Sequence, residues 1–310
     1  LKTDQDSDFT SADLLARNAN DTDIDTFTQE IRLTSTGDGA IDWMVGGFYF
    51  DESVDIENQI LYGQDIRGYI DFLSQGLLTG LEPLVFGVPE GFFFQPGQGM
   101  IEAYGQDNTA FSLFGTVDYH VTDRLTATLG LNYTQDNKDA YGTVVSTDTF
   151  SAIDLDPLSP YISQVATGAL LLQAGVDPTS PAQVGAFAAA YPDIFATIQS
   201  TAASATSQLQ LLQFFPQFVN FPNAVESGST NDDDTTYTLR LAYDATDNVN
   251  VYASYATGFK ASSWNLSRDS RPTAAGYANL VAAGLNPPNL TTGTRFAGPE
   301  ESEVFEIGMK

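Results

Sequence analysis

The chain has 310 residues, of which 42% are hydrophobic, so it can bury a substantial core and is not a disordered polar polymer. Its 40 acidic and 12 basic residues give a formal net charge of −28, which argues against nucleic acid as a partner because phosphates require a basic surface. The absence of cysteine excludes disulfides and thiolate metal sites. The sequence contains no apolar stretch of about 18 residues, the length that would predict a transmembrane helix.

Several segments alternate between apolar and polar residues with a period of two, which is typical of strands with one apolar face. In the first half of the chain, for example, Leu113 and Val117 share one face of such a segment, while Asp118 and His120 share the other. We therefore predict strands near residues 26–36, 41–54, 109–121, 124–138, 234–245, 248–260 and 303–310.

The connections between these strands alternate between short and long. Short Asp-, Gly- or Thr-rich turns are predicted at residues 36–40, 122–123 and 246–247. Long loops are predicted near residues 57–108, 139–233 and 261–302. Because soluble domains rarely contain loops above about 12–15 residues, and all three lie at the same end of the hairpins, the pattern indicates a transmembrane β-barrel with short periplasmic turns and long extracellular loops.

The longest predicted loop contains signals for small helices. Ser180, followed by Pro181 and by Gln183 three positions on, forms a capping-box signature. Another helix is predicted to begin at the Ser–Pro pair 159–160 and to end at Gly175. Beyond these, apolar residues recur at helical spacing at Ile194, Ile198, Ala202, Ala205, Leu209 and Leu212. We expect amphipathic helices that fold over the mouth of a barrel.

A soluble β-sandwich would show the same alternation, so the chemistry of the two faces must separate the architectures. The apolar face carries tyrosines near the strand ends, at Tyr119, Tyr133, Tyr243 and Tyr255. Aromatic girdles of this kind are expected of an outer-membrane barrel, whereas a sandwich core would need a buried partner for each hydroxyl. Charged residues in mid-strand on the opposite face suit an aqueous lumen. We favour the barrel, and about seven strands can form only an arc of it.

Each face then supplies candidate residues. The predicted lumen-facing residues are Glu30, Arg32, Asp118, His120, Arg240 and Asp244. The predicted lipid-facing residues are Leu113, Val117, Leu129, Leu131, Leu239, Leu241 and Val251. In the loops, exposed aromatic clusters either pack together or contact a ligand. Packing is the favoured interpretation, and the candidates for ligand contact are Phe92, Phe93, Phe94 and Trp264.

The sequence offers no catalytic or metal centre. His120 is the only histidine, no G-x-S-x-G elbow is present, and one histidine without cysteine does not make a zinc site. The acidic run 231–236 lacks the spacing of a Ca²⁺-binding loop, so we interpret it as a solvated rim. Such a rim would attract divalent ions that bridge lipopolysaccharide phosphates. We predict no cofactor and no enzymatic activity.

Five stretches follow one another along the chain: "TQEIRL", "WMVGGFYF", "TDRLTATLGLNYTQDNK", "YASYATGFK" and "PEESEVFEIGMK". In this order they resemble the barrel portion of TonB-dependent outer-membrane receptors. The resemblance implies a barrel of about 22 strands closed by an N-terminal plug. It also implies import of a scarce nutrient such as a ferric siderophore, cobalamin or an oligosaccharide. The inner-membrane TonB complex would supply the energy through a TonB box.

The chain contains no recognisable plug, TonB box or final strand that ends in an aromatic residue. We therefore expect a middle portion of the barrel that cannot transport by itself. The resemblance implies the outer membrane of a Gram-negative bacterium. The implied partners are lipid, lipopolysaccharide, TonB and a small nutrient such as a metal chelate or an oligosaccharide. The alternatives are a secreted β-sandwich adhesin or carbohydrate-binding module, and a passive porin.

Overall fold

The computed structural model describes residues 2–4, 11–37, 39–216, 218–266, 274–285 and 295–310. Its strands are β1 (Lys2–Asp4), β2 (Leu15–Thr34), β3 (Ile41–Tyr62), β4 (Gly99–Thr122), β5 (Leu125–Ser146), β6 (Ser229–Thr246), β7 (Val249–Lys260), β8 (Ser263–Trp264), β9 (Phe296–Ala297) and β10 (Glu300–Met309). Residue 38 of the first predicted turn, and residues 267–273 and 286–294 of the third predicted loop, lie outside the described residues.

One antiparallel sheet contains β1 to β7 and then β10, with the spatial order of the strands equal to their order along the chain. This confirms the predicted fold class, an antiparallel sheet of about seven long strands, to which the three-residue β1 is added. Strands β8 and β9 form a separate two-stranded sheet in the third loop. Within the described ranges β1 does not pair with β10, so the sheet is an open arc with two edges.

Strands β2 to β6 are longer than the sequence predicts and contain 18–24 residues each. A strand of about 9–11 residues is enough to cross a bilayer, so these strands extend beyond one. Strand β2 begins at Leu15 and not near residue 26, and β3 continues to Tyr62. The added residues are rich in Asp, Glu and Asn, which have low strand propensity. Pairing of β3 with both neighbours, interrupted on the β2 side only by a register shift between Leu15 and Arg17, overrides that propensity.

The loops are correspondingly shorter than predicted. Because β4 begins at Gly99, the loop predicted at 57–108 covers residues 63–98 in the structure. Because β5 continues to Ser146, the loop predicted at 139–233 covers residues 147–228. We call these two segments the first loop and the second loop, the end of the sheet that carries them the loop end, and the opposite end the turn end.

The tight turns after β4 and β6 are built in the same way. The Thr122 hydroxyl accepts a hydrogen bond from the Arg124 backbone N–H at 3.3 Å. The Thr246 hydroxyl accepts one from the Asn248 backbone N–H at 3.3 Å. The sheet register shifts beside each threonine. The two hairpins therefore share the same Thr–Asp turn.

The loops contain helices α1 (Ile66–Leu73), α2 (Leu77–Leu81), α3 (Ser159–Gln173), α4 (Pro181–Ala190), α5 (Pro192–Ala203), α6 (Ala205–Gln210) and α7 (Ala274–Ala282), and a π-helical turn at Glu82–Phe86. The Ser180 hydroxyl accepts a hydrogen bond from the Gln183 backbone N–H at 3.4 Å, which is one half of the predicted capping box, while the Gln183 side-chain oxygen accepts from the Asp177 backbone N–H at 3.1 Å. Helix α3 is followed by Gly175 at φ 76°, the left-handed conformation that favours glycine. None of the described helices has the length and apolar character needed to cross a membrane.

The main hydrophobic core lies between the loops and the loop end of the sheet. Buried residues in this core include Tyr62, Leu78, Phe93, Phe94, Phe150, Ile162, Leu209 and Phe215. The apolar residues predicted at helical spacing in the second loop are buried, except Ile194, which is 52% exposed. Helix α5 packs through Ile198 and Ala202, and Ile194 precedes that contact.

Candidate functional site

One face of the sheet, which we call the apolar face, carries an unbroken surface of hydrophobic side chains. Strand pairing aligns Val117, Leu129, Leu239, Tyr255 and Phe305 in a single row across five strands. Because side chains alternate with a period of two, the same face carries every residue predicted to face lipid. These are Leu113, Val117, Leu129, Leu131, Leu239, Leu241 and Val251.

Within the described residues no second sheet covers the apolar face, and Leu241 is 57% exposed. Tyrosines border the face, with Tyr119 and Tyr243 toward the turn end and Tyr49 and Tyr133 toward the loop end. A β-sandwich would bury these rows against a second sheet. The sandwich alternative is therefore not supported by the structure.

The opposite face, which we call the polar face, contains all six residues predicted to face a lumen. Near the turn end, His120 Nε2 lies 2.9 Å from Asp42 Oδ2, and His120 Nδ1 lies 3.2 Å from the Thr126 hydroxyl. In the adjacent row the Thr128 hydroxyl donates to Asp118. These contacts use both ring nitrogens of the histidine in a hydrogen-bonded chain between neighbouring strands.

The remaining predicted polar-face residues also have partners on that face. The Arg240 guanidinium lies 4.7 Å from the centre of the Tyr252 ring, a cation–π contact. Asp244 accepts a hydrogen bond from Asn250 Nδ2 at 2.8 Å. The structure brings Asp118, His120, Arg240 and Asp244 together at the turn end. The ion pair of Glu30 with Arg32 lies apart from them, on β2.

Toward the loop end, the outward surface that continues the apolar face becomes acidic, and we call this region the acidic band. Asp23 lies directly opposite Asp55, and Asp107 lies directly opposite Asp139. Like charges in these positions repel unless solvent or cations screen them. The acidic run 231–236, predicted to be a rim beside a loop, lies inside β6, so its side chains alternate between the two faces.

A buried ion pair fixes the first loop. Glu82 is fully buried, and its carboxylate binds Arg67 through Nη1–Oε1 at 2.6 Å and Nη2–Oε2 at 3.0 Å. The same carboxylate accepts hydrogen bonds from the backbone N–H of Gly91 at 2.6 Å and of Phe93 at 3.0 Å. Four charge-assisted hydrogen bonds thus hold α1, the π-helical turn and the phenylalanine segment, residues 92–94, in one arrangement.

In that arrangement, two of the three phenylalanines named as candidates for ligand contact are buried. Phe93 and Phe94 are buried, and both rings contact Phe150 of the second loop at centroid distances of 5.2 Å. Hydrophobic burial therefore directs them into the core and away from any ligand in solution. Phe92 is 43% exposed and packs edge-to-face on Phe93, so Phe92 is the one of these three side chains that solvent can reach.

Trp264, the fourth predicted ligand contact, packs between loops. Its ring stacks on Phe221 of the second loop at 5.9 Å with an interplanar angle of 12°, and it also contacts Phe296. On Phe221 lies the guanidinium of Arg295, 4.3 Å from the ring centre, and Arg295 Nε is 3.1 Å from Glu226 Oε1. We call these five residues the aromatic clamp. It joins the third loop to the second, which is the packing role that the sequence favoured.

The sequence did not identify Arg67, Glu82, Glu226 or Arg295. The available signal for Glu82 was its position inside the apolar run 81–86, where a lone carboxylate requires a buried partner. Nothing in the local pattern indicated which base would pair with it. In the part of the chain that the structure describes, no group of three or more His, Asp or Glu residues could hold a metal ion.

Comparison with known proteins agrees with this architecture. A family model described as TonB dependent receptor-like, beta-barrel, matches residues 2–310. No curated protein matches the chain. One similar solved structure is the ferric yersiniabactin uptake receptor FyuA from Yersinia pestis, with 13% sequence identity and a TM-score of 0.48. The match covers 97% of this chain and 28% of the length of that receptor.

Proposed function

The chain belongs to the family of TonB-dependent receptors, and from that premise we propose that it forms part of the barrel wall of an active outer-membrane importer. The family consists of receptors and not of enzymes. The proposed cargo is a scarce nutrient such as a ferric siderophore, and the proposed energy source is the TonB complex. The described residues form an open arc of wall with its loops, and we propose that transport requires the whole receptor.

This proposal rests on the difference between the two faces of the sheet, one apolar and the other polar. Rows such as Val117, Leu129 and Leu239 present hydrocarbon on one side, while Asp118, Thr128 and Arg240 occupy the other side of the same strands. A lipid-facing band with a polar interior is the arrangement that a membrane barrel requires. Continuous backbone pairing through the sheet satisfies the polar groups that lipid cannot.

The polar face is proposed to border the aqueous lumen and the plug. Its charged groups are already partnered within the sheet, as in the contacts of His120 with Asp42 and of Arg240 with Tyr252. Partnered charges keep a wet surface in a fixed shape without requiring a bound substrate. We assign these residues to the barrel wall and its contact with the plug, and not to substrate selection.

The acidic band is proposed to lie at the level of the lipopolysaccharide head groups. There Asp23 faces Asp55 and Asp107 faces Asp139, on the outward surface above the tyrosines. Divalent ions would reduce the repulsion between these carboxylates and also bind lipopolysaccharide phosphates. Removal of Ca²⁺ and Mg²⁺ should then increase protease cleavage of the strands that carry the band, and unchanged cleavage would count against this assignment.

The orientation of the faces can be tested with single cysteines, since these 310 residues contain none. In the full-length receptor reconstituted in bilayers, Leu129→Cys and Leu239→Cys should resist a membrane-impermeant maleimide. Their polar-face neighbours, Thr128→Cys and Thr238→Cys, should react with it. Equal labelling of the two pairs would contradict the proposed membrane contact.

Energised transport needs a separate test in cells that carry the full-length receptor. Uptake of a radiolabelled ferric siderophore by the receptor should cease when TonB is deleted. A passive porin would conduct its solute equally well without TonB. TonB-independent uptake would therefore exclude active import while leaving the barrel assignment in place.

A further inference from the structure

A cavity of about 180 Å³ lies between the first loop and the helices of the second loop. Its walls come from the junction of α1 with α2 and from α2, from α3, from the end of α5 and from α6. Ala166, Ala202 and Ala205 form a buried floor of small side chains. An engineered apolar cavity of about 150 Å³ binds benzene, so this space fits one six-membered ring.

The lining of this cavity is uncharged. Among the residues that the structure describes, no Asp, Glu, Lys or Arg contributes to it, although the chain contains 40 acids. Instead, three glutamines from three separate segments, Gln75, Gln173 and Gln208, lie at its edge. A primary amide both donates and accepts hydrogen bonds. The cavity therefore combines apolar walls with neutral polar groups at its mouth, the combination that small-molecule sites use.

One of the three glutamines has a strained backbone. Helix α1 ends with the Gly76 N–H bonded to the Asp71 carbonyl at 2.8 Å and the Gln75 N–H bonded to the Phe72 carbonyl at 3.2 Å. This pairing places Gln75 at the position where glycine normally follows a helix. Gln75 has φ 52°, in the left-handed region that is unfavourable for a residue with a Cβ. Glycine there would relieve the strain, but it would remove an amide from the cavity.

We propose that this cavity binds an uncharged small molecule that has one aromatic ring and an amide group at its edge. The ring would lie on the alanine floor, and the glutamine amides would pair with the amide of the ligand. Burial beside an uncharged lining disfavours an ionised ligand, because no partner offsets its desolvation. This site lies among the loop helices and not on the polar face, so it does not depend on the proposed transport.

Benzamide is the probe, and the full-length receptor in detergent micelles is the sample. Benzamide should bind saturably in the millimolar range by ligand-observed NMR. Gly80 lines the cavity, and a Cβ built on it meets nothing within 4 Å, so Gly80→Leu should fill the space without a backbone clash. We expect this change to weaken benzamide binding by at least about tenfold.

Gly185→Leu is the matched control, since Gly185 also lies within a helix, has open space at its Cβ, and is outside the cavity lining. It should leave benzamide binding unchanged. Equal binding by Gly80→Leu, Gly185→Leu and the unmodified receptor would show partition into micelles and would overturn the proposal. Absence of saturable binding to the unmodified receptor would overturn it as well.

Two further measurements separate ligand recognition from structure. Benzoate has the shape of benzamide but carries a charge, and it should bind at least about tenfold more weakly. Gln75→Gly should keep or raise the thermal unfolding temperature while it weakens benzamide binding. Benzoate that binds as tightly as benzamide, or Gln75→Gly that leaves the affinity unchanged, would contradict the proposed recognition.

Discussion

Arg67 and Glu82 form a bidentate ion pair inside the first loop, in which the Nη1–Oε1 distance is 2.6 Å and the Nη2–Oε2 distance is 3.0 Å. The carboxylate has no solvent exposure, and Arg67 is its charged partner. Pairing through both terminal nitrogens, Nη1 and Nη2, fixes the geometry of the contact as well as stabilising it. The pair therefore determines how α1 lies on the π-helical turn, and with it the position of the phenylalanines beneath the loops.

Loss of this pair should loosen the first loop. Arg67→Met removes the guanidinium and leaves Glu82 buried without its cation, which costs about 3–5 kcal/mol for pairs of this kind. Hydrogen exchange of the amides in residues 66–98 should accelerate accordingly in the full-length receptor. The control is Arg124→Met, whose exposed partner Asp247 lies 3.6 Å away. Similar exchange in the two variants would contradict a special role for the buried pair.

The Tyr62–Asp148 contact should make the loop core sensitive to pH. The Tyr62 hydroxyl donates to Asp148 Oδ2 at 2.8 Å, and burial raises the pKa of the Asp148 carboxyl above its ordinary value of 3.8, against the opposing effect of its hydrogen bonds. Because the folded state holds this proton more tightly, the contribution to stability is fully present below pH 3.8 and is lost as the pH rises through the raised pKa.

Asp148→Asn should therefore flatten the pH dependence of local stability in the second loop. The measurement is hydrogen exchange of amides near Phe150 from about pH 4 to pH 7, corrected for intrinsic exchange. Asp154→Asn, at an exposed carboxyl three residues from Ser151, is the control and should retain the pH dependence. If Asp148→Asn also retains it, Asp148 is not the responsible group.

A charge on the apolar face should destabilise the receptor in a bilayer. Leu129 lies in the row of Val117 and Leu239, between the tyrosines of the two ends. Leu129→Arg should cost about 2–4 kcal/mol in folding equilibria measured in lipid. Asn132→Arg, on the polar face of the same strand, should cost much less. Equal effects in lipid would mean that the two faces meet similar surroundings.

The aromatic clamp should hold the third loop on the second. Glu226→Gln removes the carboxylate 3.1 Å from Arg295, a residue with 5% exposure, and leaving that cation without its charged partner should cost about 1–3 kcal/mol. In a receptor whose other tryptophans, among them Trp43, are replaced by phenylalanine, acrylamide quenching of the Trp264 fluorescence should increase. Glu300→Gln, which breaks an exposed pair with Lys260, is the control and should leave the quenching unchanged.

The alternation of residues along the strands was sufficient to assign their faces. The side chains of Leu129 and Asp118 fall on opposite surfaces because a strand alternates with a period of two, a rule that needs no tertiary information. The turn positions followed from the Thr–Asp pairs for the same local reason. The ends of the long strands did not, because pairing with neighbours holds polar residues beyond Phe50 in a strand that their own propensity disfavours.

The sequence by itself determined the two-faced sheet, its antiparallel order and the helices of the second loop, since these depend on residues close together in the chain. Only the tertiary structure decided which loop residues meet. Tyr62 reaches Asp148 across 86 positions, and Arg295 reaches the Val219 carbonyl across 76. Such pairs form when separate loops exclude water from a shared core, and no local pattern encodes which partner burial will bring into contact.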